Sequence, residues 1–169
     1  MLTANFHIGL AAWLTLTNKG GGKNRDGEET TIHQGLLNDN GSGVRAALLN
    51  PSTYYGTATY GVFFGSGTTP PTINDYCMES VIATELTIAK PSAVSLNETD
   101  DYWEMSVTYG ISTSSGKTIS EVGLFAAYNK TTDLSKSVMI DRTVLETPIV
   151  IPAGQSKQVT YTIRLNKPK

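Results

Sequence analysis

Two charged side chains interrupt the most apolar stretches of this sequence, and they are the residues whose type and position could do chemistry. Glu121 lies inside Ile119-Ser120-Glu121-Val122-Gly123-Leu124-Phe125, and Arg142 alternates with Val138, Ile140 and Val144, which places all four on one face of a strand. A carboxylate in apolar surroundings either rises in pKa and carries a proton, or finds a cation and stays ionised. The first outcome needs a cleft and a second carboxylate that the sequence does not place. The second recovers much of the cost of burying an unpaired charge, so Glu121 and Arg142 are expected to meet as a structural ion pair.

The remaining reactive groups form no set. His7 and His33 are the only histidines and stand in no zinc-binding spacing, and Cys77 is a lone cysteine that reads as a half-buried thiol. Asp100 and Asp101, with Asn97 and Glu98 nearby, make an oxygen-rich turn without the spaced ligands of a calcium loop. No nucleophile elbow is present, and Gly20-Gly21-Gly22 lacks the Gly-Lys-Ser/Thr ending of a phosphate loop. No catalytic, cofactor-binding or metal residue is therefore expected, and the chain does not read as an enzyme. Tyr54, Tyr55, Tyr60, Phe63 and Phe64 are an aromatic-rich stretch that reads as core or subunit contact, with sugar stacking in a carbohydrate-binding module as the rival.

The elements that position these residues are mostly strands. In residues 158–165, Val159, Tyr161, Ile163 and Leu165 alternate with Gln158, Thr160, Thr162 and Arg164, the period of a half-buried antiparallel strand. Trp103, Met105, Val107, Tyr109 and Ile111 alternate in the same way. Ser114-Ser115-Gly116-Lys117 reads as a hairpin turn that makes the flanking strands antiparallel neighbours. The strand over 118–128 is apolar on both faces, with Val122 and Leu124 opposite Ile119 and Phe125, and so belongs at the centre of a sheet, covered twice. Residues 44–49, 60–64, 81–89 and 138–144 are further strand candidates, and the Gly- and Pro-rich residues 65–71 break regular structure. The pattern predicts a mainly β fold, an antiparallel β-sandwich with a short N-terminal helix.

That helix begins at Thr3 as N-cap and sets Phe6, Leu10, Trp13 and Leu14 on one face, a candidate surface for contact with another subunit. Residues 18–29 read as a mobile Gly-rich loop. The expected organisation is thus a helix and flexible arm over 1–29, followed by the β-domain over 30–169. The apolar stretch of residues 1–16 is too short to span a membrane and lacks a basic leader, so it reads as mature structure.

Bulk composition agrees with a scaffold. The 169 residues carry a formal charge of −2, with 13 Lys plus Arg spread thinly, which leaves no electrostatic footprint for nucleic acid. Charged residues are 17%, below the roughly 25% of ordinary domains. Serine and threonine fill the gap, which suits close protein packing.

Several short stretches resemble one group of proteins. Thr118-Ile119-Ser120-Glu121-Val122-Gly123-Leu124-Phe125 is similar to a strand that recurs in structural proteins of tailed bacteriophages, including the attachment domains of tail fibres. Asp141-Arg142-Thr143-Val144 and Val159-Thr160-Tyr161-Thr162-Ile163 resemble two later strands of that group, in the same order. Phe64-Gly65-Ser66-Gly67-Thr68-Thr69-Pro70-Pro71-Thr72, Asp75-Tyr76 and Met1-Leu2-Thr3-Ala4-Asn5-Phe6 resemble upstream elements. The resemblance implies a virion structural subunit, assembled in the bacterial host cytoplasm, whose partners are copies of itself and neighbouring virion proteins. It implies a tail or fibre-attachment or collar adaptor, with a capsid decoration protein as the alternative, because the chain ends too soon after its last strand for a long fibre.

Overall fold

The computed structural model describes residues 1–4, 6–7, 19–32, 44–51, 60–82, 85–91, 93–127 and 137–167. The fold is mainly β. Its strands are β1 (Lys19–Lys23), β2 (Glu29–Ile32), β3 (Gly61–Gly65), β4 (Thr87–Ala89), β5 (Ser95–Glu98), β6 (Tyr102–Ser112), β7 (Lys117–Ala127), β8 (Ser137–Ile151) and β9 (Ser156–Asn166). A single helical turn, α1 (Val44–Leu48), stands where a strand is expected. Val44, Ala47 and Leu48 are buried at i, i+3 and i+4, which is the helical spacing.

Two antiparallel sheets carry the core. The first has the order β3-β7-β8, and in the second β6 pairs with β9 on one edge and with β4 and β5 on the other. Strands β6 and β7 are therefore not neighbours, contrary to the hairpin expected at residues 114–117. Each finds a partner whose faces match better. β6 pairs with β9 along its whole length, setting Trp103 opposite Leu165, Met105 opposite Ile163, Val107 opposite Tyr161 and Tyr109 opposite Val159. β7, apolar on both faces, sits between β3 and β8. The connection turns from one sheet to the other around buried Thr113 and around Gly116, whose φ of 73° suits glycine.

Side chains of both sheets meet in one core. Val62 and Phe64 of β3, Val122 and Leu124 of β7 and Val138 and Ile140 of β8 join Val107, Tyr109, Val159, Tyr161 and Ile163 of the second sheet. Phe64 and Tyr109 pack edge to face with ring centres 5.7 Å apart. Burying each such side chain contributes roughly 1.5 to 3 kcal/mol. A second, smaller core of Phe63, Met78, Phe125 and Met139 covers the other face of the first sheet. β7 is thus covered on both sides, although Ile119 joins the first core with Val122 and Leu124.

β8 departs from simple alternation. Its register against β7 shifts between Leu124↔Asp141 and Phe125↔Met139, which inserts Ile140 as an extra residue, and again between Ile119↔Ile149 and Glu121↔Val144, around Pro148. The first bulge has a consequence for Arg142: it faces the second core's side, opposite Val138 and Ile140, and shares its face with Val144 alone of the expected set.

Residues 19–32 are a docked hairpin, not the mobile arm expected over 18–29. β1 pairs with β2, which also runs across the expected domain boundary at 29/30. Asn24 Oδ1 accepts the backbone N–H groups of Asp26 and Glu28 and shapes the turn. Arg25 anchors it: the backbone N–H bonds to the Ser137 carbonyl, and the guanidinium lies 5.5 Å from the Phe125 ring centre. At the N-terminus, Ala4, Phe6 and His7 have helical backbone. The Thr3 hydroxyl donates to the carbonyls of Met139 and Ile140. Phe6 is buried in this chain's own core, while Leu10, Trp13 and Leu14 lie outside the described residues.

Candidate functional site

The structure brings Glu121 and Arg142 together. Alternation along β7 turns Glu121 away from the core between the sheets, and the bulge at Ile140 turns Arg142 to the same side. Arg142 Nε donates to Glu121 Oε1 at 2.6 Å, with the two side chains 4% and 0% exposed. The layer over them is residues 66–82, which supply backbone donors and two more carboxylates.

Glu121 accepts the Glu79 N–H at 2.9 Å and the Ser80 N–H at 3.1 Å besides the guanidinium. Arg142 gives its other nitrogens to Asp75 Oδ2 at 2.7 Å and to the Thr69 carbonyl at 3.1 Å. Glu79 stands 3.5 Å from the same guanidinium and accepts the N–H groups of Thr68 and Thr69. Thr72 donates through its backbone and its hydroxyl to Asp75 and closes that turn. The guanidinium is the hub of the network: its rigid fork donates to Glu121, Asp75 and the Thr69 carbonyl and lies beside Glu79.

The proton affinities follow from these contacts. Burial acts to raise Asp75, but hydrogen bonds from Arg142 and Thr72 outweigh it and hold the carboxyl below its ordinary range. Glu79 is lowered chiefly by its bonds from Thr69. Burial acts to lower Arg142, and its bonds to Asp75 and Glu121 reverse that and raise it. Asp75 and Glu79 are therefore held ionised. A general acid needs the opposite, a proton retained near neutral pH.

Three glycines make room for the network. A Cβ on Gly67 would stand 2.5 Å from Glu121 Oε2, and one on Gly65 would stand 2.3 Å from the Ser80 carbonyl oxygen. A Cβ on Gly123 would stand 2.8 Å from Met78 Sδ. The glycines of both motifs serve close approach of two layers, and none of these three has a positive φ.

On the opposite face of β8, Asp141 receives the Tyr161 hydroxyl at 2.5 Å, the Thr143 hydroxyl at 3.0 Å and the Met1 ammonium at 2.9 Å. Burial, with the adjacent Asp141 charge and hydrogen bond, holds Tyr161 well above the usual phenol range. This bond links the two sheets. Sequence reasoning missed Asp141, Asp75 and Glu79 as partners. Thr72-Ile73-Asn74-Asp75 carries the spacing of a side-chain-capped turn, which is the signal that could have singled out Asp75.

The other candidates separate. His7 is exposed against the Phe6 ring, and His33 lies outside the described residues. Cys77 is half-buried, and burial pushes its thiol up. Asp100 and Asp101 sit in the turn between β5 and β6, where Thr99 Oγ1 accepts the N–H groups of Asp101 and Tyr102. Among the described residues no group of three or more His, Cys, Asp or Glu is placed to hold a metal ion. Phe63 and Phe64 are buried in the two cores, while Tyr54 and Tyr55 lie outside the described residues. A surface cavity of about 640 Å³, lined by Ser66, Val81, Glu85, Lys117, Val150 and Pro152 among others, holds the Lys117–Glu85 ion pair and, among the described residues, no further ionisable group.

The stretches singled out in the sequence at residues 1–6, 64–76, 118–125, 141–144 and 159–163 are linked to one another by hydrogen bonds. Met1 and Thr3 bond to β8 at Met139, Ile140 and Arg142, and the Ala4 N–H bonds to the Ile73 carbonyl. Residues 64–76 reach Arg142 through Thr69 and Asp75, and Asp141 accepts from Tyr161 of β9. Comparison with protein-family models, curated proteins and solved structures finds no match.

Proposed function

We propose that this chain is a structural subunit of a tailed-bacteriophage virion, an antiparallel β-sandwich with a short N-terminal helix that assembles with copies of itself and with neighbouring virion proteins. Its role is that of a tail or fibre-attachment or collar adaptor, and its place is the virion, assembled in the host cytoplasm. The observation that carries this reading is the linkage just described. Stretches spread from Met1 to Ile163 are joined by direct hydrogen bonds around Glu121, Arg142 and Asp141. Residues that recur together in one protein group for a structural reason should touch, and these touch.

The chemistry of the network supports the same reading. Asp75 and Glu79 are held ionised by their hydrogen bonds, and Glu121 is tied to Arg142 and two backbone N–H groups, an arrangement that suits the packing of layers. The rival class, a sugar-binding module, draws less support from the exposed rings. Lys167 Nζ lies 4.9 Å from the ring centre of half-exposed Trp103, and the Arg164 guanidinium lies 4.1 Å from that of Tyr102, so cations occupy stacking faces a sugar would need.

Mass spectrometry of purified particles, followed by immunogold labelling, tests the proposal. The chain is expected in the particle, with label at the tail or collar. Label over the head surface replaces the adaptor role with the decoration role. Absence from particles, with a monomer that binds glycans, refutes the virion reading.

A further inference from the structure

We propose that the free edge of β9 is a contact between two copies of this chain, paired antiparallel about a two-fold axis at Tyr161. This rests on the assembly reading above and names its surface. The starting observation is how differently the sheet edges are treated. The outer edge of β3 is closed by bonds from the Val62 N–H to the Asn50 carbonyl and from the Ile82 N–H to the Phe64 carbonyl. The outer edge of β8 receives the N–H groups of Thr3 and Arg25, and further along it carries Pro148 in a bulge. β4 and β5 are only 3 and 4 residues long. These are the usual protections against edge-to-edge pairing.

β9 has none of them. It runs for 11 residues without proline, in unbroken register with β6, and among the described residues nothing pairs with its other edge. Its sequence is also nearly symmetric. Val159-Thr160-Tyr161-Thr162-Ile163 reads alike in both directions, and Tyr161 is the midpoint of Ser156–Asn166. An isologous antiparallel pair centred there sets Thr160 opposite the partner's Thr162, Val159 opposite the partner's Ile163 and Gln158 opposite the partner's Arg164. Lys157 then meets the partner's Leu165, so no like charges face each other, and every residue keeps its face. A slip of one residue puts buried Tyr161 opposite exposed Thr160 and fails. The centred register also pairs the whole strand, and the apolar inner faces of two four-stranded sheets become continuous.

Two variant sets test this in the full chain. Thr160 and Thr162 are exposed, so Thr160→Lys with Thr162→Lys preserves the fold while setting lysines against lysines across the two-fold axis. Light scattering across a dilution series is expected to show association weakened at least tenfold. In a Cys77→Ser background, Thr160→Cys mixed with Thr162→Cys is expected to form disulfide dimers, because directly opposite residues in such a pair lie about 4.5 to 5.5 Å apart. Thr160→Cys alone should not, its mates being a diagonal of about 7 to 8 Å apart. This arm also decides the matter if the lysine variant fails to fold. A multimer indifferent to the lysines, or Thr160→Cys coupling to itself as readily as to Thr162→Cys, overturns the β9 contact and leaves the virion reading standing. A protein monomeric at every concentration and absent from particles overturns both.

Discussion

Ile140 and Asp141 are neighbours in the chain and lie on the same face of β8. The bulge that places them there is held by Thr3, whose N–H and hydroxyl both bond to the Ile140 carbonyl. The next residue, Arg142, is thereby turned to the opposite face. Asp141 reaches Tyr161 of the second sheet, and Arg142 reaches Glu121 and the layer of residues 66–82. One irregularity in one strand thus lets two adjacent charges tie three layers together, which is how bulges commonly re-aim side chains.

The Glu121–Arg142 pair should be worth far more broken than replaced. Arg142→Met is expected to lose roughly 3 to 5 kcal/mol, because it leaves Glu121 buried without a cation, and Glu121→Gln is expected to lose less, because Arg142 keeps its pair with Asp75. The double variant should lose clearly less than their sum, since it removes both charges. Urea unfolding of the four proteins measures the coupling, and additive losses would show that the contact carries no energy of its own.

Glycines in this chain divide by what surrounds them. Gly67→Ala and Gly123→Ala force a methyl into Glu121 or Met78 and should each lose about 1 to 3 kcal/mol, the cost of overpacking. Among the described residues nothing lies within 4 Å of a Cβ added at Gly20, so Gly20→Ala should be neutral or stabilise by roughly 0.4 to 1 kcal/mol through the unfolded chain. Thermal melts distinguish the two groups. Equal behaviour at all three positions would refute the close-approach account.

Much of this architecture was legible in residue periodicity. β6 and β9 alternate strongly enough to be read directly, β7 is apolar on both faces as expected of a central strand, and Glu121 and Arg142 stood out as charges in apolar strands. What was not legible depends on non-local contact. The partner of β6 was misread because a short Ser-Ser-Gly-Lys connection suits a hairpin, yet the matching apolar face lies on β9. The face of Arg142 was misread because a bulge leaves no mark on composition; only the bonds from Thr3, well over a hundred residues away in sequence, reveal it. Val44, Ala47 and Leu48 satisfy the helical period and the apolar-run criterion alike, and packing decided between them. Gly20-Gly21-Gly22 suggested mobility, but the anchor is Arg25, whose aromatic partners come from β3 and β7.

Acid should loosen the layer of residues 66–82. Asp75 titrates below its ordinary value in the folded chain, so its contribution is fully present above the unfolded value of about 4 and is lost as pH falls through the lowered folded value. Glu79 acts in the same direction. The urea midpoint is therefore expected to hold between about pH 7 and pH 5 and to fall below about pH 4. Asp75→Asn should lower the midpoint at neutral pH and flatten the acid decline. An acid decline as steep in that variant as in the parent would remove Asp75 from the account.

Docking of the β1–β2 hairpin should hinge on Arg25. Its guanidinium lies over the rings of Phe63 and Phe125, at 6.0 and 5.5 Å from their centres, in a buried position where such contacts contribute up to about 2 kcal/mol. Arg25→Ala removes the ring contacts and leaves the backbone bond from its N–H to Ser137, so it should loosen the hairpin without unfolding the sheets. Amide exchange in Lys19–Lys23 and Glu29–Ile32 is then expected to quicken while β6 and β9 keep their protection, the signature of local opening. Lysine at this position should rescue only part of the effect, since it restores charge without the planar stacking surface. Uniform loss of protection across all strands would mean that the hairpin belongs to the same cooperative unit as the core.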